Sequence, residues 1–211
     1  MSRSVLDALR RQAQGCTACE LYKRASKTVF GEGSSAVHMM LIGEQPGDRE
    51  DIEGLPFVSP AGQLLDRVLR QAGIDRGLCY ITNAVKHFKW EPRGKRRLHK
   101  TPAQREIEAC RRWLVADAAA LQPDVLVCLG ATAAKAVLGP DVRVTVEHGR
   151  PRSSLLGPTG IATMHPSAVL RMKDAADREQ AFDRMVADLR VARSLLKRST
   201  HDDQTGKAAQ A

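Results

Sequence analysis

Three groups of side chains in this sequence have the types and spacing to do chemistry. Cys16 and Cys19 form a C-x-x-C pair, which can serve as a dithiol, as half of a zinc site or as half of an iron–sulfur site. A thioredoxin-like pair sits beside a βαβ pattern, whereas this one precedes the first strand-like segment, so the redox reading ranks last. Either metal reading needs about two more ligands. Cys110 and His87 are open candidates, while Cys128, inside the apolar run VLVCLG, and Cys79, at the head of another, read as small buried hydrophobes. The second group is Gly43-Glu44-Gln45-Pro46-Gly47, followed by Asp48, Glu50 and Asp51 and then by Leu55-Pro56-Phe57. It lacks the lysine and spacing of a P-loop, and its four acids oppose an anion, so it reads as a tight turn. Phe57, between Pro56 and Pro60, is either a core plug or a stacking platform. The third group is His165-Pro166-Ser167-Ala168-Val169-Leu170-Arg171, with a histidine where a strand should end.

A fourth feature is charge. The 211 residues carry 33 Lys and Arg against 24 Asp and Glu, a net +9. Residues 86–100, KHFKWEPRGKRRLHK, hold seven Lys or Arg and one Glu, so +6 of that excess falls in one stretch. Most basic runs are solvated surface. This one also contains His87, Phe88, Trp90 and His99, with Pro92 and Gly94 breaking any helix. Cations interleaved with rings suit a nucleic-acid strand, whose phosphates want charge and whose bases want flat partners. The stretch is expected to be a loop that contacts nucleic acid.

The elements that must position these groups alternate in type. Apolar runs at 37–42, 78–82, 125–129 and 161–164 read as strands, and helical periodicity runs through 64–72 and 182–192. Thr101 and Pro102 look like a helix start whose inner face carries Ile107, Cys110 and Leu114, and a short Ala-rich helix follows Gly130. Such alternation predicts an α/β protein with a central, mostly parallel four-stranded sheet covered on both sides. Ligands of such sheets bind beyond the carboxyl ends of the strands. That rule gathers 43–47, Asn83, Gly130 and His165 along one rim.

Length fits one domain, expected over 1–198, with a polar, disordered tail at 199–211. Apolar residues make up 43% and charged residues 27%, which excludes global disorder. No apolar run is long enough to span a bilayer, the start has no signal-peptide core, and five cysteines suit a reducing cytosol. A cytoplasmic, monomeric protein that joins the nucleoid when bound to DNA is expected.

Taken together, GEQPGD at 43–48, NAVKHF at 83–88, KRRLHK at 95–100 and HPS at 165–167 resemble the family-4-related uracil-DNA glycosylases, and more narrowly their UdgX type. Order and spacing match from about Cys16 to Arg190; Gln45, His87 and the basic segment ending in His99 carry the narrower likeness. The resemblance implies a three-layer α/β/α fold and a [4Fe-4S] cluster on Cys16, Cys19, His87 and Cys110, leaving Cys79 and Cys128 as bystanders. Ala168-Val169 depart from the Ser-Leu usual there, which should affect packing more than chemistry.

The resemblance also implies a reaction. A base must leave the stack before its glycosidic bond can be reached. Phe57 would replace the lost stacking, Asn83 would read uracil N3–H and O4, and His165 would donate to O2 as charge grows on the ring. Gln45, Asp48, Asp51, Arg97 and Ser167 complete the expected substrate contacts, and the 47–51 segment is expected to exclude thymine at C5. His99 would then capture the sugar cation in place of water, leaving the chain attached to uracil-containing DNA, in single or double strands, with uracil released. The cations Lys95, Arg96, Arg97 and Lys100 are expected to keep the imidazole neutral, and Glu44 to take its proton. The rival readings are a glycosylase that turns over by water attack, a cluster-bearing DNA-binding module without catalysis, and a redox protein built on Cys16 and Cys19.

Overall fold

The computed structural model describes residues 2–34 and 37–196; the expected tail and residues 197–198 of the expected domain lie outside the described residues. In chain order the elements are α1 (Ser2–Gln14), β1 (Gly31–Gly33), β2 (Met39–Gly43), α2 (Asp48–Glu53), α3 (Pro60–Ala72), β3 (Cys79–Asn83), β4 (Trp90–Arg93), β5 (Arg96–His99), α4 (Gln104–Leu121), β6 (Val125–Leu129), α5 (Ala131–Leu138), α6 (Val144–Glu147), β7 (Arg152–Ser153), β8 (Thr159–Thr163), α7 (Pro166–Leu170) and α8 (Ala175–Ser194).

The main sheet runs β1-β3-β2-β6-β8-β7. Its four inner strands are parallel and are the four expected; β1 and β7 add antiparallel edges, so the sheet has six strands rather than four. Both edges escape a pattern search because β1 is Gly-Glu-Gly and β7 only two residues long. Along β2 the side chains alternate between layers. Met39 and Leu41 pack with Leu65, Val68, Met185 and Leu189 of α3 and α8, whereas Met40 and Ile42 pack with Leu114 of α4 and Val137 of α5. A strand buried on both faces reads as continuous apolar sequence. These two cores make the three layers.

Two local features differ from expectation. Helix α4 begins at Gln104, after Thr101 and Pro102, because the Glu106 carboxylate accepts the Ala103 backbone N–H at 2.6 Å and so fixes the first turn there. The basic segment is not a loop but an antiparallel hairpin, β4 with β5, in which Trp90 faces His99 and Arg93 faces Arg96 across a turn at Gly94-Lys95. Pro92 is tolerated because a two-stranded hairpin leaves each strand an unpaired side.

Candidate active site

A cavity of about 840 Å³ opens on the carboxyl rim of the parallel strands. From the ends of β2 and β3 it is lined by Glu44, Gln45 and Asn83, from the end of β6 by Leu129 and Gly130, and from the end of β8 by Thr163, Met164 and His165. Phe57, His99 and Ser167 also line it. The strand order gathers these residues, which lie far apart in the chain.

Asn83 is buried, and its Oδ1 has no hydrogen-bond partner. Leaving a buried carbonyl unpaired costs about 1–3 kcal/mol, so such an atom marks a place kept for an incoming donor. A Cβ at residue 43 would lie 2.4 Å from that oxygen and 2.8 Å from the Phe57 ring, so only glycine lets backbone, carbonyl and ring meet. Phe57 itself sits at φ 55, in the left-handed region that a bulky residue avoids. The fold thus holds an aromatic ring in a strained conformation beside an unpaired carbonyl.

His165 lies against Phe57, ring centroids 5.9 Å apart at 30°. Its Nδ1 accepts the Ser167 backbone N–H at 3.1 Å and contacts Ser167 Oγ at 2.8 Å. Burial, then Arg171 and His99 nearby, push its pKa down to about 4. A neutral imidazole whose Nδ1 is an acceptor carries its proton on Nε2. His165 is therefore a neutral N–H donor.

Glu44 Oε2 accepts from Thr132 Oγ1 at 2.5 Å, and Glu44 Oε1 lies 3.4 Å from His99 Nε2. His99 titrates below its usual value because burial, aided by Arg171, outweighs the pull of Glu44. The hairpin cations expected to hold it neutral are not the cause. Two of the four are paired elsewhere: Arg97 is clasped by Asp48 (Nε to Oδ1, 2.5 Å) and Asp51 (Nη1 to Oδ2, 2.6 Å), and Lys100 pairs with Glu91. Lys86 leaves the basic surface altogether, fully buried against Asp117 and Thr82. Lys89 pairs with Glu106. Of the seven cations in 86–100, only Arg93, Lys95 and Arg96 have no ion pair among the described residues.

Asp48, Asp51 and Arg97, expected to touch substrate, do not line the cavity. The two carboxylates bind the one guanidinium between them and anchor β5 to α2. Asp51 also accepts the Ser26 backbone N–H at 2.9 Å, and Arg97 lies over Phe88 and Trp90. Gln45 lines the cavity, but both ends of its amide serve the hairpin base: Nε2 donates to the Lys89 and Lys100 carbonyls, and Oε1 accepts the Lys89 N–H. From the 47–51 segment Gly47 and Glu50 reach the cavity, with Glu50 fixed by the backbone N–H groups of Gly47 and Ser59.

The sequence reading missed Thr132, His148 and Asp188. Thr132 is the second residue of α5, two beyond Gly130, and a hydroxyl in the first turn of a helix that starts at the rim could have been singled out. His148 and Asp188 had no such signal, since one follows a four-residue helix and the other lies inside α8.

Away from the residues that line the cavity, Cys16 and Cys110 share one buried cluster with Trp113 and Phe30, and the partly buried Cys19 packs against it. The Cys110 thiol hydrogen-bonds Cys19, lowering the Cys19 pKa to about 6. Burial pushes the Cys16 thiol up, but N–H donors from Ala18, Trp113 and Arg112 outweigh it and bring the group down. His87 Nε2 contacts Thr28 Oγ1 at 2.9 Å, while its buried Nδ1 has no partner. Three gathered thiols and an orphaned imidazole nitrogen fit a thiolate-ligated group. Among the described residues, no three His, Cys, Asp or Glu side chains are grouped to hold a single metal ion. Cys79 is pushed up to about 12 by burial and Cys128 also rises by burial, as inert core thiols do. No described helix is long and apolar enough to cross a membrane.

Comparison with known proteins follows the same outline. The family profile described as Uracil DNA glycosylase superfamily matches residues 30–190. A Type-4 uracil-DNA glycosylase of Thermotoga maritima is 37% identical over 196 residues, covering 92% of this chain and 96% of the relative. One of Pyrobaculum aerophilum is 35% identical over 175 residues, 79% of this chain and 85% of the relative. One of Archaeoglobus fulgidus is 38% identical over 130 residues, 62% of each.

Proposed function

The chain belongs to the uracil DNA glycosylase superfamily, and from that premise we propose that it excises uracil from DNA and stays covalently attached to the sugar through His99, as the UdgX type does. The observation that carries this reading is that His99 Nε2, paired with Glu44, lines the same cavity as the unpartnered Asn83 carbonyl.

Uracil flipped into the cavity stacks on Phe57 and gives its N3–H to Asn83 Oδ1, while the amide of Asn83 donates to O4; cytosine reverses this donor pattern. Gly47 and Glu50 form the wall that a thymine methyl meets. As the C1′–N1 bond breaks, its electron pair goes to the uracil ring, and the His165 Nε2–H stabilises the charge on O2 without itself ionising. A His99 ring nitrogen then bonds C1′. The imidazole releases its N–H proton to Glu44, uracil takes up a proton, and no water is consumed. Loss of that proton makes the imidazole a poor leaving group and the bond durable.

A [4Fe-4S] cluster belongs to the same reading, with Cys16, Cys19, His87 and Cys110 as its holders. It would supply a covalent tie between the N-terminal segment, the end of β3 and α4. The reading needs no second subunit, since every residue in it comes from one chain, and it places the protein's work on cellular DNA.

The relatives' name, Type-4 uracil-DNA glycosylase, is equally consistent with a conventional turning-over glycosylase, in which Glu44 positions water. Denaturing electrophoresis of the protein mixed with a labelled uracil oligonucleotide separates the two. A boiling-resistant shifted band supports capture; free oligonucleotide that breaks only after alkali supports turnover. Equal binding of uracil-free DNA with neither product would mean a binding module.

A further inference from the structure

The cavity is wider than one pyrimidine. It runs from the end of β3 past β2 and β6 to β8, three strand spacings or roughly 14 Å. Its far end lies beyond His165 and is lined by His148, Arg184, Met185 and Asp188. The uracil chemistry uses none of these residues.

The polar groups at that end form a built arrangement. Asp188 is buried, accepts from Thr163 Oγ1 at 2.6 Å, and contacts His148 Nδ1 at 2.9 and 3.1 Å through its two oxygens. Gly149, at φ +70, lets the loop close onto the carboxylate; a Cβ there would lie 2.4 Å from Asp188 Oδ1. The His148 Nδ1 must carry a proton to bond the carboxylate, and its Nε2 bonds nothing among the described residues. Arg184 has no ion-pair partner among the described residues. Asp188 is already engaged by His148 and Thr163, so the groups left to meet a ligand are an imidazole nitrogen and a guanidinium. With His148 as the imidazolium, the form that Asp188 beside Nδ1 favours, Nε2–H and the guanidinium are both donors, and that set suits an anion.

Strand order says which anion. Hairpin β4–β5, with Arg93, Lys95 and Arg96 free at its tip, leaves the sheet after β3, whereas His148 precedes β7 at the other edge. A DNA strand whose uracil sits between Asn83 and His165 leaves the cavity in both directions, one toward each edge. We propose that His148 and Arg184 bind a backbone phosphodiester of the nucleotide beside the flipped uracil, on the side away from the hairpin. Asp188 and Thr163 position the imidazole for it. This rests on the uracil-DNA reading above.

The test pairs protein variants with single neutral phosphates. Uracil oligonucleotides carrying one methylphosphonate at each flanking position in turn are compared for product formation at subsaturating protein, with wild type, His148→Gln and Arg184→Gln. One position should slow the wild type about tenfold, the worth of one charge-assisted contact, yet slow either variant less than about twofold, because the contact is already gone. Equal slowing of wild type and both variants at every position overturns the proposal. Arg184→Gln leaves the His148–Asp188–Thr163 group intact, so it carries the test if His148→Gln folds poorly. Uracil release from the unmodified strand monitors the functional reading separately. If wild type releases none, that reading fails, and the same coupling is then sought in gel-shift affinity; its absence there overturns the phosphate site too.

Discussion

The rim of the parallel sheet and the β4–β5 hairpin both present side chains to one cavity, but they are held there by different forces. Asn83 and His165 stand at the ends of strands buried on both faces, where apolar packing fixes the backbone and desolvation tunes the groups. His99 ends a two-stranded hairpin, which is marginal on its own in water. Polar tethers hold it instead: Gln45 at its base, and the Arg97 clasp to Asp48 and Asp51. In this account, reading and breaking the glycosidic bond belong to the core, and keeping the sugar belongs to an attached arm. The two functions should come apart under mutation.

The largest effect should come from the core side. Asn83→Ala removes the unpaired carbonyl and should lower uracil release and adduct formation together by about 100-fold or more, since a site built to hydrogen-bond its substrate depends strongly on that group. Single-turnover rates on a uracil oligonucleotide measure both. Loss of only one product would break the division.

The same contrast has a pH form. His165 titrates near 4 when folded and near 6.5 when unfolded, so between those values the unfolded chain binds the extra proton. Its contribution to stability is present above about pH 6.5 and is lost as pH falls toward 4, on the order of 3 kcal/mol in full. Thermal melting from pH 7 to 4 should show a steeper loss for wild type than for His165→Gln. Parallel curves would mean that the rim histidine is not held neutral by the fold.

On the arm, Arg97→Gln opens the clasp without touching the cavity. It should leave uracil release within about threefold while slowing capture roughly 30-fold, as expected when a reacting group loses its positioning. Denaturing gels alongside free-uracil measurement give that ratio. Equal loss of both would show that the hairpin also shapes the base pocket.

The smallest effect joins the two regions. Thr132 donates to Glu44 from the rim, and Glu44 faces His99 on the arm. Thr132→Val should slow capture about fivefold, within the range of one hydrogen bond, and Thr132→Ser should restore it. A Val variant that captures at the wild-type rate would detach Glu44 from the arm.

The core region was the more legible in sequence. Four inner strands and their helices follow from apolar runs and periodicity, and the strand-end rule gathered Glu44, Asn83 and His165 before any contact was known. The arm was harder. A basic, ring-rich segment with Pro92 and Gly94 looks like a loop because hairpin pairing leaves no strong apolar alternation at exposed positions. Composition also cannot tell which cations are spent: Lys86 lies buried on Asp117 and Arg97 is bound by two carboxylates, pairings made across 31, 46 and 49 residues of chain. For the same reason His148 and Asp188, 40 residues apart, gave no signal.

The most direct test of the division is denaturing electrophoresis of wild type and His99→Ser with a labelled uracil oligonucleotide, a thymine oligonucleotide as control, and free uracil measured in the same samples. The account predicts a heat-stable shifted band for wild type only and on uracil DNA only, with His99→Ser still releasing uracil and leaving an alkali-labile strand. A wild type that releases uracil without any heat-stable band, or a His99→Ser band equal to wild type, would contradict it.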